Sequence, residues 1–142
     1  MPSDLGLKAM NAVHRCVLKV SGGRLGWKVA RMPVVELTTR GRKSGEPRTV
    51  MLTSPVQEGD TVVLVASRGG DDHHPAWFLN LQAEPRVEAR VGGGERRTYT
   101  ARVATPEERE RLWPQVTAVY RGYANYQRKT DRQIPLVLLD PA

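Results

Sequence analysis

"RTVMLTSPVQEGDTVVLVAS", residues 48–67, decides the fold. Two runs, 48–56 and 60–67, are rich in β-branched residues and flank "QEGD" at 57–60, where Gly59 supplies a turn. β-branched side chains suit a pleated, half-buried surface, and a glycine-containing turn between two such runs is a hairpin signal. The stretch therefore predicts two antiparallel neighbours.

Working outward, "VVELTT" (34–39), "RVEARV" (86–91), "RTYTARVAT" (97–105) and "PLVLLD" (135–140) carry the same signature, and "GGGE" at 92–95 supplies a second hairpin turn. Six strands in 142 residues predict an α+β, mainly β fold: a six-stranded antiparallel barrel, closed or nearly closed so that few strand edges stay exposed. Two helices interrupt the strands. "HPAWFLNLQAEP" (74–85) has Pro75 near its start and Pro85 beyond its end. "TPEERERLWPQVTAVYRGY" (105–123) opens with Thr105, Pro106 and Glu108 in capping-box spacing, followed by an apolar face of Leu112, Val116 and Val119.

A third helix is predicted from Leu5 to Val20, with Leu7, Met10, Val13, Val17 and Val20 on one stripe and Lys8, Arg15 and Lys19 off it. It reads either as an amphipathic helix packed on the domain or as one that meets anionic headgroups at a membrane surface. "SGGR" then ends it, so residues 1–33 form a helix and linker and 34–142 the barrel, within one structural domain.

Composition narrows the classes. With 39% hydrophobic and 26% charged residues, the chain is an ordinary globule. No apolar run approaches the roughly 20 residues that cross a bilayer, and the first twenty residues lack a signal peptide's apolar centre. The single cysteine, Cys16, forms no internal disulfide and fits a reducing cytoplasm. The net charge is +7, and all of that excess lies in residues 1–48, which hold ten Lys or Arg against Asp4, Glu36 and Glu46; the remainder holds twelve of each sign. Such a field attracts an anionic partner.

"RGRKSGEPR", residues 40–48, concentrates that charge on one turn between two strands. A solvated loop, a nucleic-acid contact and a small anionic ligand are all open readings of a basic turn. "VASRGGDDHHPAWFLNL" (65–81) follows a strand with two glycines and runs into a helix, an arrangement that lets backbone approach a ligand. Within it, Asp71 or Asp72 reads better as a helix cap than "DDHH" does as a metal site, because adjacent side chains seldom converge on one ion. His14 reads as an exposed helix residue and Cys16 as a packed one. Tyr120, Tyr123 and Tyr126, three apart on a helix, read as a core stripe or as the wall of a pocket.

"LTTRGRKSGEPR", "VASRGGDDHHPAWFLNL" and "VYRGYANYQRKTDRQIPLVLLDP", in that order over residues 34–141, resemble the deazaflavin-dependent nitroreductase and quinone reductase family, split β-barrel oxidoreductases that use coenzyme F420. The resemblance implies cofactor contacts by Arg42, Lys43, Ser44 and Arg48 to the phosphate and oligoglutamate tail. Thr49, Val50, Met51, Leu52 and Thr53 would line the deazaflavin, together with Val65, Ala66, Ser67 and Arg68, with Ala76, Trp77, Phe78, Leu79 and Asn80, and with Tyr123. Trp77, Tyr120 and Tyr126 would border the substrate, and Ser67 and Tyr126 would hydrogen-bond its oxygen; no metal is implied. Arg68 departs from the family pattern, where a lysine is expected.

The function so implied is hydride transfer from reduced F420 to a quinone-like, enone or nitroaromatic acceptor. The alternative is a non-catalytic module that sequesters deazaflavin, with FMN as the alternative ligand. No nucleic-acid partner is expected. The expected location is the cytoplasm, with the N-terminal helix reversibly on the inner face of the plasma membrane.

Overall fold

The computed structural model describes residues 28–29 and 32–142. The predicted N-terminal helix, with His14 and Cys16, lies outside the described residues, as does the contact with a membrane surface expected of it. In chain order the strands are β1 (Lys28–Val29), β2 (Met32–Arg40), β3 (Pro47–Thr53), β4 (Val56–Glu58), β5 (Thr61–Val65), β6 (Arg86–Val91), β7 (Arg97–Val103) and β8 (Leu136–Pro141). Among the described residues the helices are α1 (Ala76–Ala83), α2 (Pro106–Val119) and α3 (Gly122–Arg128), with a 3-10 turn at Arg68–Gly70.

All strand pairs are antiparallel, in the order β1-β2-β6-β7-β8-β5-β4, with β3 paired to β2 beyond β1. The mainly β antiparallel architecture agrees with the sequence expectation, whereas the strand count among the described residues is eight rather than six. One extra strand arises because the run 48–56 breaks at Ser54 and Pro55, where proline can give no ladder hydrogen bond. Ser54, 0% exposed, turns that break into a join. Its N–H donates to the Pro33 carbonyl at 3.0 Å, and its hydroxyl lies 2.6 Å from the Val63 carbonyl and 3.0 Å from that of Val56. The end of β3 is thereby tied to β5 although β3 and β4 do not pair, and the sheet curls into a half-barrel.

Alternation along β5 sorts the core into two clusters. Val62 and Leu64 face an inner cluster with Val35, Leu37, Val87, Ala89, Val137 and Leu139, into which α1 inserts Trp77, Phe78 and Leu81. Val63 and Val65 face an outer cluster with Leu136 and Leu138, covered by Leu112 and Val116 of α2 and by Tyr123 of α3. A short helix buried on more than one face suits a plug rather than a surface element.

The capping box at α2 forms as read: Thr105 Oγ1 accepts from the Glu108 N–H at 3.2 Å, and the Glu108 carboxylate accepts from the Thr105 N–H at 2.9 Å. The apolar face differs, since Leu112 and Val116 are buried but Val119, the last residue of the helix, is 45% exposed. α1 begins after Pro75 without a side-chain cap, so neither Asp71 nor Asp72 caps it; the Asp71 carboxylate instead accepts from the His73 N–H at 3.0 Å.

Candidate functional site

The basic turn lies between β2 and β3 and is held by its own residues. The Gly41 N–H donates to the Glu46 carbonyl at 2.8 Å, and Arg40 reaches across to the Gly45 carbonyl at 3.0 Å, so Arg40 closes the turn. Arg42 is anchored to α1: its backbone N–H and its Nη1 both donate to Asn80 Oδ1, at 3.2 and 2.9 Å. Asn80, 4% exposed, donates in turn to Thr39 Oγ1 at 3.2 Å. Ser44 accepts from the Glu46 N–H at 3.1 Å and lies 3.5 Å from Arg48 Nη2. Arg42, Lys43, Ser44 and Arg48 are all exposed. Cations on one short exposed turn raise the local positive potential and suit an anionic ligand.

β3 leads away from this turn, and none of its seven residues is buried. Val50 and Leu52 pack at the margin of the inner cluster, while Thr49 lies 2.9 Å from Thr38, oxygen to oxygen. At its far end, Thr53 Oγ1 lies 3.2 Å from the Tyr123 hydroxyl, so β3 links the basic turn to the tyrosines.

The tyrosines do not share one helix. α2 stops at Val119 and α3 starts at Gly122, with Tyr120 extended at the break (φ −142°, ψ 105°). Gly122 is what permits this: a Cβ there would lie 2.2 Å from the Tyr120 ring. Tyr120 and Tyr123 meet edge to face with centroids 5.0 Å apart, and Tyr126 lies within 6.5 Å of both. Burial raises the pKa of Tyr123. Burial, reinforced by hydrogen bonding with Tyr120, pushes Tyr126 up to about 12, so its phenol keeps a proton to donate.

The third region is the end of β5. Val65, Ala66 and Ser67 are buried, and no hydrogen bond to the Ser67 hydroxyl is formed among the described residues. The chain then takes three positive φ angles in succession, 46° at Arg68, 64° at Gly69 and 85° at Gly70. Arg68 pairs with Asp71 at 3.5 Å, and the His73 N–H, with Arg68 adding to it, holds the Asp71 carboxyl below its ordinary range. Gly70 lies against α3 so closely that a Cβ would sit 2.7 Å from the Tyr126 carbonyl oxygen. The turn and the tyrosines are therefore in direct contact.

Pairwise contacts thus link the expected regions: the basic turn to α1 through Arg42 and Asn80, β3 to Tyr123 through Thr53, and Gly70 after β5 to Tyr126. Ala76 is exposed, and Leu79 is half-buried and packs against the inner cluster. The structure does not bring Trp77 together with Tyr120 and Tyr126, because Trp77 and Phe78 belong to the inner cluster and the tyrosines to the outer one. Two residues are not among the expected site residues, although His74 belongs to the "DDHH" run. Arg132 gathers the carbonyls of Ala66, Ser67 and Asp71, and His74, 3.2 Å from it, packs against Phe78 with centroids 4.8 Å apart and the rings tilted by 45°. Their one signal is a lone arginine between a helix end and a buried strand.

Among the described residues no cluster of His, Cys, Asp and Glu could hold a metal ion. Three of the "DDHH" side chains have other partners: Asp71 accepts from the His73 N–H, Asp72 from Thr130 Oγ1 at 2.7 Å, and His74 lies against Arg132. No helix of the described residues is long and apolar enough to cross a membrane.

Comparison with known proteins shows the family of the whole chain. Residues 11–141 match the family model described as F420H(2)-dependent quinone reductase. A Mycobacterium tuberculosis protein named F420H(2)-dependent quinone reductase Rv1261c is 38% identical over 131 residues, which is 89% of this chain and 87% of that protein. Among solved structures, one described as an F420-H2 dependent reductase (FDR-A) superposes with a TM-score of 0.68 at 42% identity, covering 76% of this chain and 94% of the other. Another, described as a domain-swapped dimer, gives a TM-score of 0.70 at 37% identity, covering 93% and 99%.

Proposed function

We propose an acceptor and a set of residue roles from one premise: the chain belongs to the F420H(2)-dependent quinone reductase family, and so is an F420H2-dependent oxidoreductase with coenzyme F420 as its cofactor. The acceptor is a quinone, with enones and nitroaromatics as further electron-poor planar substrates of the same site. The donor set suits the cofactor. Three exposed cations and a serine on one turn match a phosphorylated polycarboxylate tail, and the half-exposed β3 offers apolar and hydroxyl groups to a planar ring.

The observation that carries the reading is the continuity of β3. It begins at the cation turn and ends in hydrogen-bond contact with Tyr123. Its seven residues span about 20 Å, enough to keep a charged tail and a reacting ring at opposite ends of one ligand.

When bound, coenzyme F420 supplies a hydride from its reduced ring. The protein's own task is to orient, exclude water and steady developing charge. Arg42, Lys43, Ser44 and Arg48 hold the tail, and Thr49 to Thr53, Val65 to Arg68 and Tyr123 border the ring. Trp77 and Phe78 seat α1 in the inner cluster, Ala76 and Leu79 offer its less buried margin to the ring, and buried Asn80 acts through the Arg42 it holds. Tyr120 and Tyr126 wall the acceptor. The Ser67 hydroxyl and the protonated Tyr126 phenol donate to the acceptor oxygen that gains negative charge.

The test is steady-state oxidation of F420H2 with a panel of menadione, cyclohexenone and a nitroimidazole. Menadione should give the highest kcat/KM. An equal or higher value for either of the others would contradict the quinone assignment, and no oxidation with any would contradict the enzyme reading itself.

A further inference from the structure

Where β5 ends, its backbone needs new partners. The last ladder-like bond is from the Ala66 N–H to the Pro135 carbonyl at 3.0 Å, and Ala66, Ser67 and Asp71 are 0%, 8% and 8% exposed. Carbonyls buried there must be satisfied within the fold. One side chain does most of this. Arg132 Nε donates to the Asp71 carbonyl at 2.8 Å, Nη2 to those of Ser67 and Ala66 at 2.9 and 3.2 Å, and Nη1 to that of Ala66 at 3.2 Å. Nη1 also lies 3.2 Å from His74 Nδ1. Only a planar fork of five N–H groups can reach so many acceptors at once; an ammonium group cannot.

Nearby carboxylates do not claim this guanidinium by hydrogen bond. Asp71 uses its carboxylate on the His73 N–H and on Arg68, and Asp72 uses its own on Thr130, whose Oγ1 also accepts from the Arg132 N–H at 3.3 Å. The positive charge therefore sits behind the Ser67 peptide, solvated by neutral oxygens. The Ser67 hydroxyl, by contrast, finds no partner among the described residues.

We propose that Arg132 is a positioning residue for hydride transfer: by fixing the Ala66 and Ser67 peptides it aims the Ser67 hydroxyl at the acceptor, and so governs turnover rather than cofactor affinity. The inference rests on the assignment of Ser67 to the acceptor oxygen. The tail cations are anchored elsewhere, through Arg42 to Asn80, so the tail's hold on F420 is left intact and a disturbed Ser67 peptide costs more in kcat than in affinity, even though Ala66 to Arg68 border the ring.

The experiment compares wild type, Arg132→Lys, Ser67→Ala and the double variant, reading kcat and KM for menadione, F420 affinity by fluorescence, and thermal midpoint. Arg132→Lys should lower kcat about tenfold or more with F420 affinity held within about threefold, and the double variant should be no more than about twofold slower than Ser67→Ala. A wild-type kcat for Arg132→Lys, an affinity loss as large as the kcat loss, or losses that multiply in the double variant would overturn the proposal. If Arg132→Lys does not fold, His74→Leu removes one facing acceptor from a half-buried position and takes its place. A kcat lowered about threefold with unchanged F420 affinity supports the proposal, and a wild-type kcat overturns it. Ser67→Ala turning over like wild type would remove the Ser67 assignment and the proposal together, whereas a slow Ser67→Ala beside a normal Arg132→Lys removes the proposal alone.

Discussion

The Tyr123 hydroxyl lies 3.2 Å from Thr53 Oγ1, so the last residue of β3 is joined to α3. Tyr123 is 6% exposed, and its phenol also lies 4.0 Å from the Met32 sulfur. The contact fixes the tyrosine cluster to the strand proposed to line the cofactor ring.

Tyr123→Phe keeps the ring and removes the hydroxyl, leaving Thr53 without this partner. It should destabilise the fold by about 1 kcal/mol in urea unfolding and weaken F420 binding, because β3 loses its tie to α3. Unchanged stability and unchanged affinity would show that the contact holds neither.

Gly70→Ala addresses the contact between the glycine turn and α3. A Cβ there would meet the Tyr126 carbonyl oxygen at 2.7 Å, and φ is +85°, so the substitution is strained and overpacked together. A loss of about 3 kcal/mol in chemical denaturation is expected, with a lowered kcat from the displaced Tyr126. A well-folded variant with wild-type turnover would mean that the turn and α3 are not coupled.

The pH dependence of stability has a defined sign at Glu108. Arg102, 2.6 Å away, and the Thr105 N–H lower its pKa from 4.5 to about 2. Because the folded value is the lower one, the stabilisation is present above about pH 4.5 and is lost as pH falls toward 2. Acid unfolding followed by circular dichroism should show a smaller pH slope in that window for Glu108→Gln. An identical slope would assign the acid sensitivity to other carboxylates.

The parts of the fold carried by apolar alternation are legible in the sequence: the hairpins at 57–60 and 92–95, and the capping box of α2, follow from residue type and spacing alone. The break at Ser54 is harder to read, since it depends on a hydroxyl reaching the carbonyls of Val56 and Val63. Tyr120 looks continuous with Tyr123 and Tyr126 at spacing three, but Gly122 lets its ring fold back and ends the helix first. Within the candidate site, the cations stand out because charge is visible in a sequence. Arg132 does not, because its partners are backbone carbonyls, which carry no residue signature.

The central claim, that the basic turn and the tyrosine end of β3 belong to one elongated cofactor site, is tested most directly by binding. Affinities of wild type and of the Arg42→Ala, Lys43→Ala double variant are measured for full F420 and for the same deazaflavin without its phosphate and glutamate tail. The double variant should lose about tenfold or more affinity for full F420 and bind the tail-less form nearly as wild type does, since among the groups of the ligand these cations offer charge-assisted bonds to the tail and not to the ring. Equal losses for both ligands, or no loss for either, would contradict the account.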